Sequence, residues 1–173
     1  MAAWAATRPG LVFACPQLPA SPREAMAQVA EVVAGWPADG VAVIGSSLGG
    51  FYATALAEQR DHHRWRVVVL NPAVNPARDL ARHIGTLTAW HDASLQFSFT
   101  ADHVAELNAL TPPAPLTWPQ RYFALIAKGD ELLDWREMQA RYPGSAGHVL
   151  NGGDHGLSDF EDHLPGVAAH LLA

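Results

Sequence analysis

A chain of 173 residues with a net charge of −6 and one cysteine, Cys15, excludes several classes of protein before any motif is considered. The length suits one domain around one core, and a composition that is 49% apolar and only 16% charged rules out a disordered chain or a coiled coil. The acidic balance contains no basic block, so neither nucleic acid nor an anionic membrane is an expected partner. A lone cysteine forms neither an internal disulfide nor a cysteine zinc cluster, and no apolar run approaches the ~20 residues of a membrane span. The start, Met1 to Ala20, lacks a basic leader region and carries Arg8-Pro9 inside its apolar stretch, so it does not read as a signal peptide. The expectation is a cytoplasmic protein that needs no cofactor and no metal and acts on a small substrate without strong negative charge.

Taken in order, Leu11 to Cys15 is a short apolar β run ending at Pro16. Ser21-Pro22-Arg23-Glu24 then opens a helix with a capping serine, a proline at the first helical position and a glutamate placed for a capping box. Met26, Val29, Val33 and Trp36 recur at spacings of three and four, which gives that helix one apolar face, and Gly35 and Pro37 end it. Val41 to Ile44 is apolar on both faces, as at the centre of a parallel sheet covered on both sides. In the helix behind it Leu48, Tyr52, Ala55 and Leu56 form a stripe, while Gly49, Gly50 and Ala53 keep the near side small.

Arg66 to Leu70 is a third β run, and Asn71 to Pro76 turns it into a helix through about Ile84, with Asn71 and Asn75 suited to local turn and cap bonds. Regularity drops from Gly85 to Pro119, a lid-like insertion that holds a helix from Ala101 to Leu110 and scattered aromatics (Trp90, Phe97, Phe99, Trp118). These rings are expected either to line an acyl pocket or to form the insertion's own small core. Arg121 to Ala127 is a fourth strand, a helix runs to about Tyr142, and His148 to Leu150 is a short fifth strand. The last helix carries Leu164, Val167, Ala168, Leu171 and Leu172 on one face, with Pro165 near its start.

The centre of this pattern is Gly45-Ser46-Ser47-Leu48-Gly49, where an apolar strand enters Gly-x-Ser-x-Gly and leaves as a helix. A serine at such a turn is held in a strained conformation, and flanking glycines remove the Cβ atoms that would collide there. A phosphate-binding loop would need Lys-Ser/Thr after its last glycine, where Phe51-Tyr52 stands. Ser47 therefore reads as a nucleophile. Alternating strands and helices predict an α/β, doubly wound, mostly parallel sheet with helices on both faces, the α/β-hydrolase fold, over residues 1–173 as a single domain. Ser47, Asp130 and His155 follow the second, fourth and fifth β runs, the chain order nucleophile, acid, histidine of that fold. A serine hydroxyl attacks well only when a base takes its proton, neutral imidazole can be that base, and a carboxylate fixes its tautomer and stabilises the imidazolium. The Leu48 N–H, at the positive end of a helix, is one candidate oxyanion donor.

Rival carboxylates stand close by. Glu131 and Asp134 are alternatives to Asp130, which ranks first because it lies nearest the strand end, and Asp154 reads as a turn residue. His62-His63 and His91-Asp92 have no helical metal-ligand spacing with a third ligand nearby and read as solvent-facing. Asp102-His103 reads as the start of the insertion's helix, where Asp102 suits the dipole.

Five ordered motifs, Pro16-Gln17-Leu18-Pro19, Gly45 to Thr54, Asn71-Pro72-Ala73-Val74, Gly129 to Asp134, and Gly152-Gly153-Asp154-His155 followed by Phe160-Glu161-Asp162, resemble the YqiA/YcfP-like bacterial esterases, small α/β-hydrolases of short-chain acyl esters. The resemblance runs from about Pro16 to the C-terminus and implies Ser47 as nucleophile, Asp130 as acid and His155 as base. Members of that family open with a strand ending in His-Gly-Phe, whereas here Met1 to Pro9 resembles only the tail of the helix that follows it, and no His-Gly precedes Ser47. In the family that strand lies between those represented by Leu11–Cys15 and Val41–Ile44, and its loop supplies the second oxyanion donor. Loss of one donor costs on the order of 10² to 10³ in rate. The expectation is an amino-terminally shortened reading of a longer protein rather than a natural variant with a rearranged sheet.

The function expected from the sequence is a serine carboxylester hydrolase acting on a small-molecule ester, although thioesterases and peptidases use the same triad. The alternative is a non-catalytic or weakly active α/β-hydrolase-fold binding protein.

Overall fold

Four apolar runs pair in register into one sheet, and the helices between them close over its two faces. The computed structural model describes residues 1–37, 40–60, 64–89 and 92–173. In chain order these form α1 (Ala2–Ala6), α2 (Pro22–Ala34), β1 (Ala42–Ser46), α3 (Leu48–Glu58), β2 (Arg66–Leu70), α4 (Pro76–Leu80), β3 (Gly85–Ala89), β4 (Asp92–Phe99), α5 (Ala101–Leu110), β5 (Tyr122–Ala127), α6 (Trp135–Arg141), β6 (Ala146–Leu150) and α7 (Phe160–Leu172), with 3₁₀ turns at Ala81–His83 and Pro119–Arg121. The readings of His62-His63, Trp90 and His91 fall outside the described residues.

The sheet has the order β1-β2-β5-β6, every pair parallel. Its side chains alternate between two cores, as a pleated strand requires. Val67 and Val69 of β2, with Tyr122, Ala124 and Ile126 of β5, pack into a cluster that also contains Met26 of α2 and Phe51 and Leu56 of α3. Val68, Phe123 and Leu125 pack on the opposite face with Val167, Phe160 and Leu171 of α7. This is the α/β-hydrolase fold, with the carboxyl ends of all four parallel strands along one edge.

The helix capped by Ser21 forms with the serine half of the expected capping box, and no return bond from the Ser21 N–H to the Glu24 side chain accompanies it. The Ser21 hydroxyl oxygen accepts the Glu24 N–H at 3.3 Å and Pro22 opens the first turn. The same hydroxyl donates to Glu106 Oε2 at 2.7 Å, which fastens α2 to α5. At the far end of the chain α7 begins at Phe160 and runs through Pro165. That proline forfeits one helical bond in a helix whose apolar stripe is already packed on the sheet.

Three sequence expectations need correction. Leu11 to Cys15 joins no ladder, and Leu11, Val12 and Phe13 are 43, 73 and 45% exposed. A strand exists only by pairing at about 4.8 Å; an apolar cleft of about 340 Å³, lined by Val12, Ala14, Trp36 and Ile44 among others, separates this run from β1. As a result β1 is an edge strand of the described sheet rather than its centre, and β2 and β5 are central. The stretch expected to be irregular after Gly85 instead forms a second, antiparallel sheet, β3 with β4, with Leu87 opposite Phe97, Gly85 opposite Phe99 and a register shift at Thr88/Ala89. Lastly, the helix expected to reach Ile84 is α-helical only to Leu80 and tightens into the 3₁₀ turn.

The helix expected from Ala101 to Leu110 forms with a reciprocal cap. Thr100 Oγ1 accepts the His103 N–H at 3.5 Å, and His103 Nδ1 accepts the Thr100 N–H at 3.3 Å.

Candidate active site

Parallel strands deliver their following loops to one edge, and there the structure brings Ser47, Asp130 and His155 together. Ser47 sits between β1 and α3 at φ 53°, ψ −124°. Such a conformation costs about 1–3 kcal/mol in a non-glycine residue and persists only where neighbours over-determine it. Here the Ser47 N–H donates to Leu70 O at 2.9 Å, and Ser47 O accepts the N–H groups of Ala73 and Gly50, both at 2.9 Å. Two residues earlier, a Cβ on Gly45 would run into the carbonyl of Gly49, so the elbow closes only around glycine.

Asp130 follows β5, and its side chain is fully buried. Its Oδ1 accepts the N–H groups of Leu132 at 2.8 Å and Leu133 at 2.9 Å, which leaves Oδ2 to meet His155 Nδ1 at 2.8 Å. The other imidazole nitrogen, Nε2, lies 2.9 Å from Ser47 Oγ. A proton on Nδ1 satisfies the carboxylate, and Nε2 then accepts the serine hydroxyl. The loops of acid and histidine pack main chain to main chain: the Gly129 N–H donates to Gly152 O at 3.3 Å, and a Cβ on Gly129 would strike the carbonyl oxygen of Gly153. Leu48 opens α3, where the first N–H groups have no intrahelical acceptor and carry the positive end of the helix dipole.

The neighbouring carboxylates have other partners. Asp134 caps α6, accepting the Arg136 N–H at 2.9 Å. Asp154 accepts from the Ser158 hydroxyl at 2.6 Å and the Ser158 N–H at 3.0 Å, and these bonds hold its carboxyl below the usual carboxylate range. Glu131 does not reach the imidazole; its Oε2 accepts the main-chain N–H of His155 at 3.0 Å.

The asparagines also depart from expectation. Asn75 precedes α4 without a side-chain cap bond. Asn71 makes no local turn bond; its amide donates to the carbonyls of Asp154 and His155, and its Oδ1 accepts the Ala127 N–H. The one signal for Asn71 in the sequence was its place directly after a strand of this sheet, where side chains reach the crevice.

Two cavities meet at the elbow. One, of about 430 Å³, is lined by Ser47 and His155 together with Arg78, Asp79, Glu137 and Met138. Arg78 spans its rim, donating to both carboxylate oxygens of Glu137 at 3.0 and 2.7 Å. The other, of about 720 Å³, is apolar, with Tyr52, Leu87, Phe97, Phe99 and Leu107 in its wall. Leu48 and Leu80 line both. Burial and the nearby Glu106 push the Tyr52 hydroxyl up to about 12, so it faces this cavity as a neutral phenol at neutral pH.

Comparison with solved structures agrees with the fold. A protein of Agrobacterium vitis S4 aligns with a TM-score of 0.67 at 17% identity, over 87% of this chain and 69% of that one. The monoacylglycerol lipase of Paleococcus ferrophilus aligns with a TM-score of 0.61 at 17% identity, over 87% of this chain and 75% of that one. An alpha/beta superfamily hydrolase of Oenococcus oeni PSU-1 aligns at 0.58 with 14% identity, over 95% of this chain and 80% of that one. Strands, helices and elbow thus define a protein of the α/β-hydrolase fold. The chain belongs to the uncharacterised protein family UPF0227, which it matches over residues 2–172.

Proposed function

We propose that this protein is a serine carboxylester hydrolase that works through an acyl-serine intermediate. The observation that carries the reading is the unbroken hydrogen-bonded chain from Asp130 Oδ2 through the His155 imidazole to Ser47 Oγ. His155 Nε2 takes the hydroxyl proton as Ser47 Oγ attacks the ester carbonyl, and Asp130 stabilises the imidazolium. The oxyanion of the tetrahedral intermediate is held by the Leu48 N–H. His155 then gives its proton to the departing alkoxide and takes one from water. The hydroxide adds to the acyl carbonyl, and His155 returns that proton to Ser47 Oγ as the acyl–oxygen bond breaks and the acid leaves. No step requires a cofactor or metal.

The apolar cavity beneath β3 and β4 suits the acyl chain, and the cavity bounded by Arg78 and Glu137 suits the alcohol, with the carbonyl between them at Leu48. On this reading residues 1–173 act as one domain, residues 85–119 are a lid over the acyl cavity, and Phe97 and Phe99 line the pocket. That a fold relative is a monoacylglycerol lipase supports the same class of chemistry. No helix of the described residues is long and apolar enough to cross a membrane, which accords with a cytoplasmic enzyme of small esters.

A second reading, a weakly active or non-catalytic binding protein, draws on one observation. The outer edge of β1 has no ladder partner among the described residues, and that is where the resembling esterases hold the strand whose loop brings the second oxyanion donor.

Labelling with a fluorophosphonate separates the two. The expected result is one adduct, on Ser47, absent from Ser47→Ala, together with turnover of p-nitrophenyl acetate or butyrate. A folded preparation that binds ligand saturably but neither labels nor turns over ester supports the second reading.

A further inference from the structure

The C-terminal end of β2 carries none of the proposed chemistry, yet it holds all three loops that do. Leu70 O and the Ala73 N–H grip the main chain of Ser47 from either side. Between them Asn71 is fully buried, at φ 39°, a left-handed conformation that asparagine tolerates better than most residues. Its own N–H donates to Leu125 O at 3.0 Å. Its side-chain Nδ2 donates to Asp154 O at 2.9 Å and to His155 O at 3.1 Å, and its Oδ1 accepts the Ala127 N–H at 2.8 Å, three residues before Asp130. With Glu131 Oε2 on the His155 N–H, the peptide groups on both sides of the His155 Cα are held by side chains. Only the two side-chain torsions of His155 then remain to place its ring.

We propose that Asn71 is a positioning residue that, with Glu131 opposite, fixes His155 between Ser47 and Asp130; this rests on reading those three residues as a catalytic triad. A side chain needed only for the turn after β2 would bond within that turn. This one instead crosses to the peptide of the histidine and to the strand that carries the acid. The 2.8 and 2.9 Å contacts of the imidazole leave little room for drift, and displacing a reacting group by about 1 Å can cost as much as 10²-fold in rate.

The test uses the full chain, a fluorophosphonate probe and the NMR titration of the His155 ring. Asn71→Gly keeps the positive φ and removes all three side-chain bonds. Asn71→Asp keeps the acceptor for Ala127 but sets an oxygen against two carbonyls. Both are expected to melt cooperatively and bind the probe with unchanged KI. Their kinact should fall roughly 10- to 100-fold, with a displaced midpoint in the His155 titration. Glu131→Ala should lower kinact as well, and Glu131→Gln, which keeps an acceptor for the His155 N–H, should restore it.

Asn71 variants that melt earlier but label at the wild-type kinact with an unmoved His155 midpoint overturn the proposal. If Asn71→Gly does not fold, Asn71→Asp and the Glu131 pair decide by the same readouts. Wild-type protein that never labels at Ser47 overturns the hydrolase reading instead. In that event the His155 titration still decides: equal midpoints in wild type and the Asn71 variants overturn the positioning role.

Discussion

His155→Ala is expected to lower turnover of p-nitrophenyl butyrate by about 10⁶-fold, and Asp130→Asn by about 10⁴-fold, while both variants stay folded. Removal of the base leaves the Ser47 hydroxyl with no acceptor for its proton, whereas the second change acts through a tautomer. Asparagine at 130 keeps an oxygen for the N–H groups of Leu132 and Leu133, so the loop is retained. Its amide nitrogen then faces His155 Nδ1 and donates to it. That moves the imidazole proton to Nε2, where it points at Ser47 Oγ and blocks proton abstraction. The stability cost is expected to be small for His155→Ala, whose side chain is partly exposed and whose main-chain bonds to Glu131 and Asn71 survive. The measurement is steady-state hydrolysis with Ser47→Ala as background, beside a thermal melt. If Asp130→Asn retains more than a tenth of the activity, Asp130 is not the acid, and Glu131, whose carboxylate lies on the same loop, becomes the next residue to replace.

The site was legible in the sequence to the extent that it depends on local chain chemistry. Gly45 marks the elbow because glycine alone fits where its main chain meets that of Gly49, and a Cβ on Gly50 would run into Pro72, whereas one on Gly49 would meet nothing among the described residues. Asp130 and His155 meet Ser47 because loops after parallel strands share one edge, which follows from topology without coordinates. The roles of Asn71 and Glu131 were not legible, because each depends on which main-chain group a short polar side chain meets more than 20 residues away, and no periodicity encodes that. The β3–β4 hairpin could have been read. Thr86-Leu87-Thr88 and Gln96-Phe97-Ser98-Phe99 alternate with period two, and in the structure Leu87, Phe97 and Phe99 are the better covered members of that alternation. The strand signal lies in the polar residues between the aromatics as much as in the aromatics themselves. Leu11 to Cys15 failed as a strand for the opposite reason. Its composition is that of a strand, but a strand also needs a neighbour, and a cleft stands on the side facing β1.

The largest stability loss is expected far from the chemistry, at Glu58. This residue ends α3, the helix whose first turn carries the elbow, and its carboxylate is buried against the base of β5. Arg121 Nη2 donates to Glu58 Oε1 at 2.7 Å, with the two side chains only 0 and 1% exposed. The Tyr122 hydroxyl donates to the same oxygen at 2.7 Å, and the Thr117 N–H to Oε2 at 2.8 Å. Burial alone would raise the pKa of Glu58, but hydrogen bonds from Thr117, Tyr122 and Arg121 outweigh it and leave the carboxyl below its ordinary value.

Breaking a buried pair by removing one partner costs about 3–5 kcal/mol. For a chain of this length Glu58→Gln should therefore lower the melting temperature by roughly 10 °C at pH 7. The folded pKa lies below the unfolded value of about 4.3. The ionised carboxylate therefore contributes its full stability above that value, and the contribution is lost as pH falls through the folded pKa. The gap in stability between wild type and Glu58→Gln should accordingly narrow as the pH is taken from 7 to 3, and a gap that stays constant over that range would contradict the assignment. Ser47 feels this indirectly. Glu58 fixes the far end of α3 to the start of β5, the strand whose following loop carries Asp130, so in Glu58→Gln fluorophosphonate labelling should fail at a lower temperature than in wild type, in step with the earlier melt.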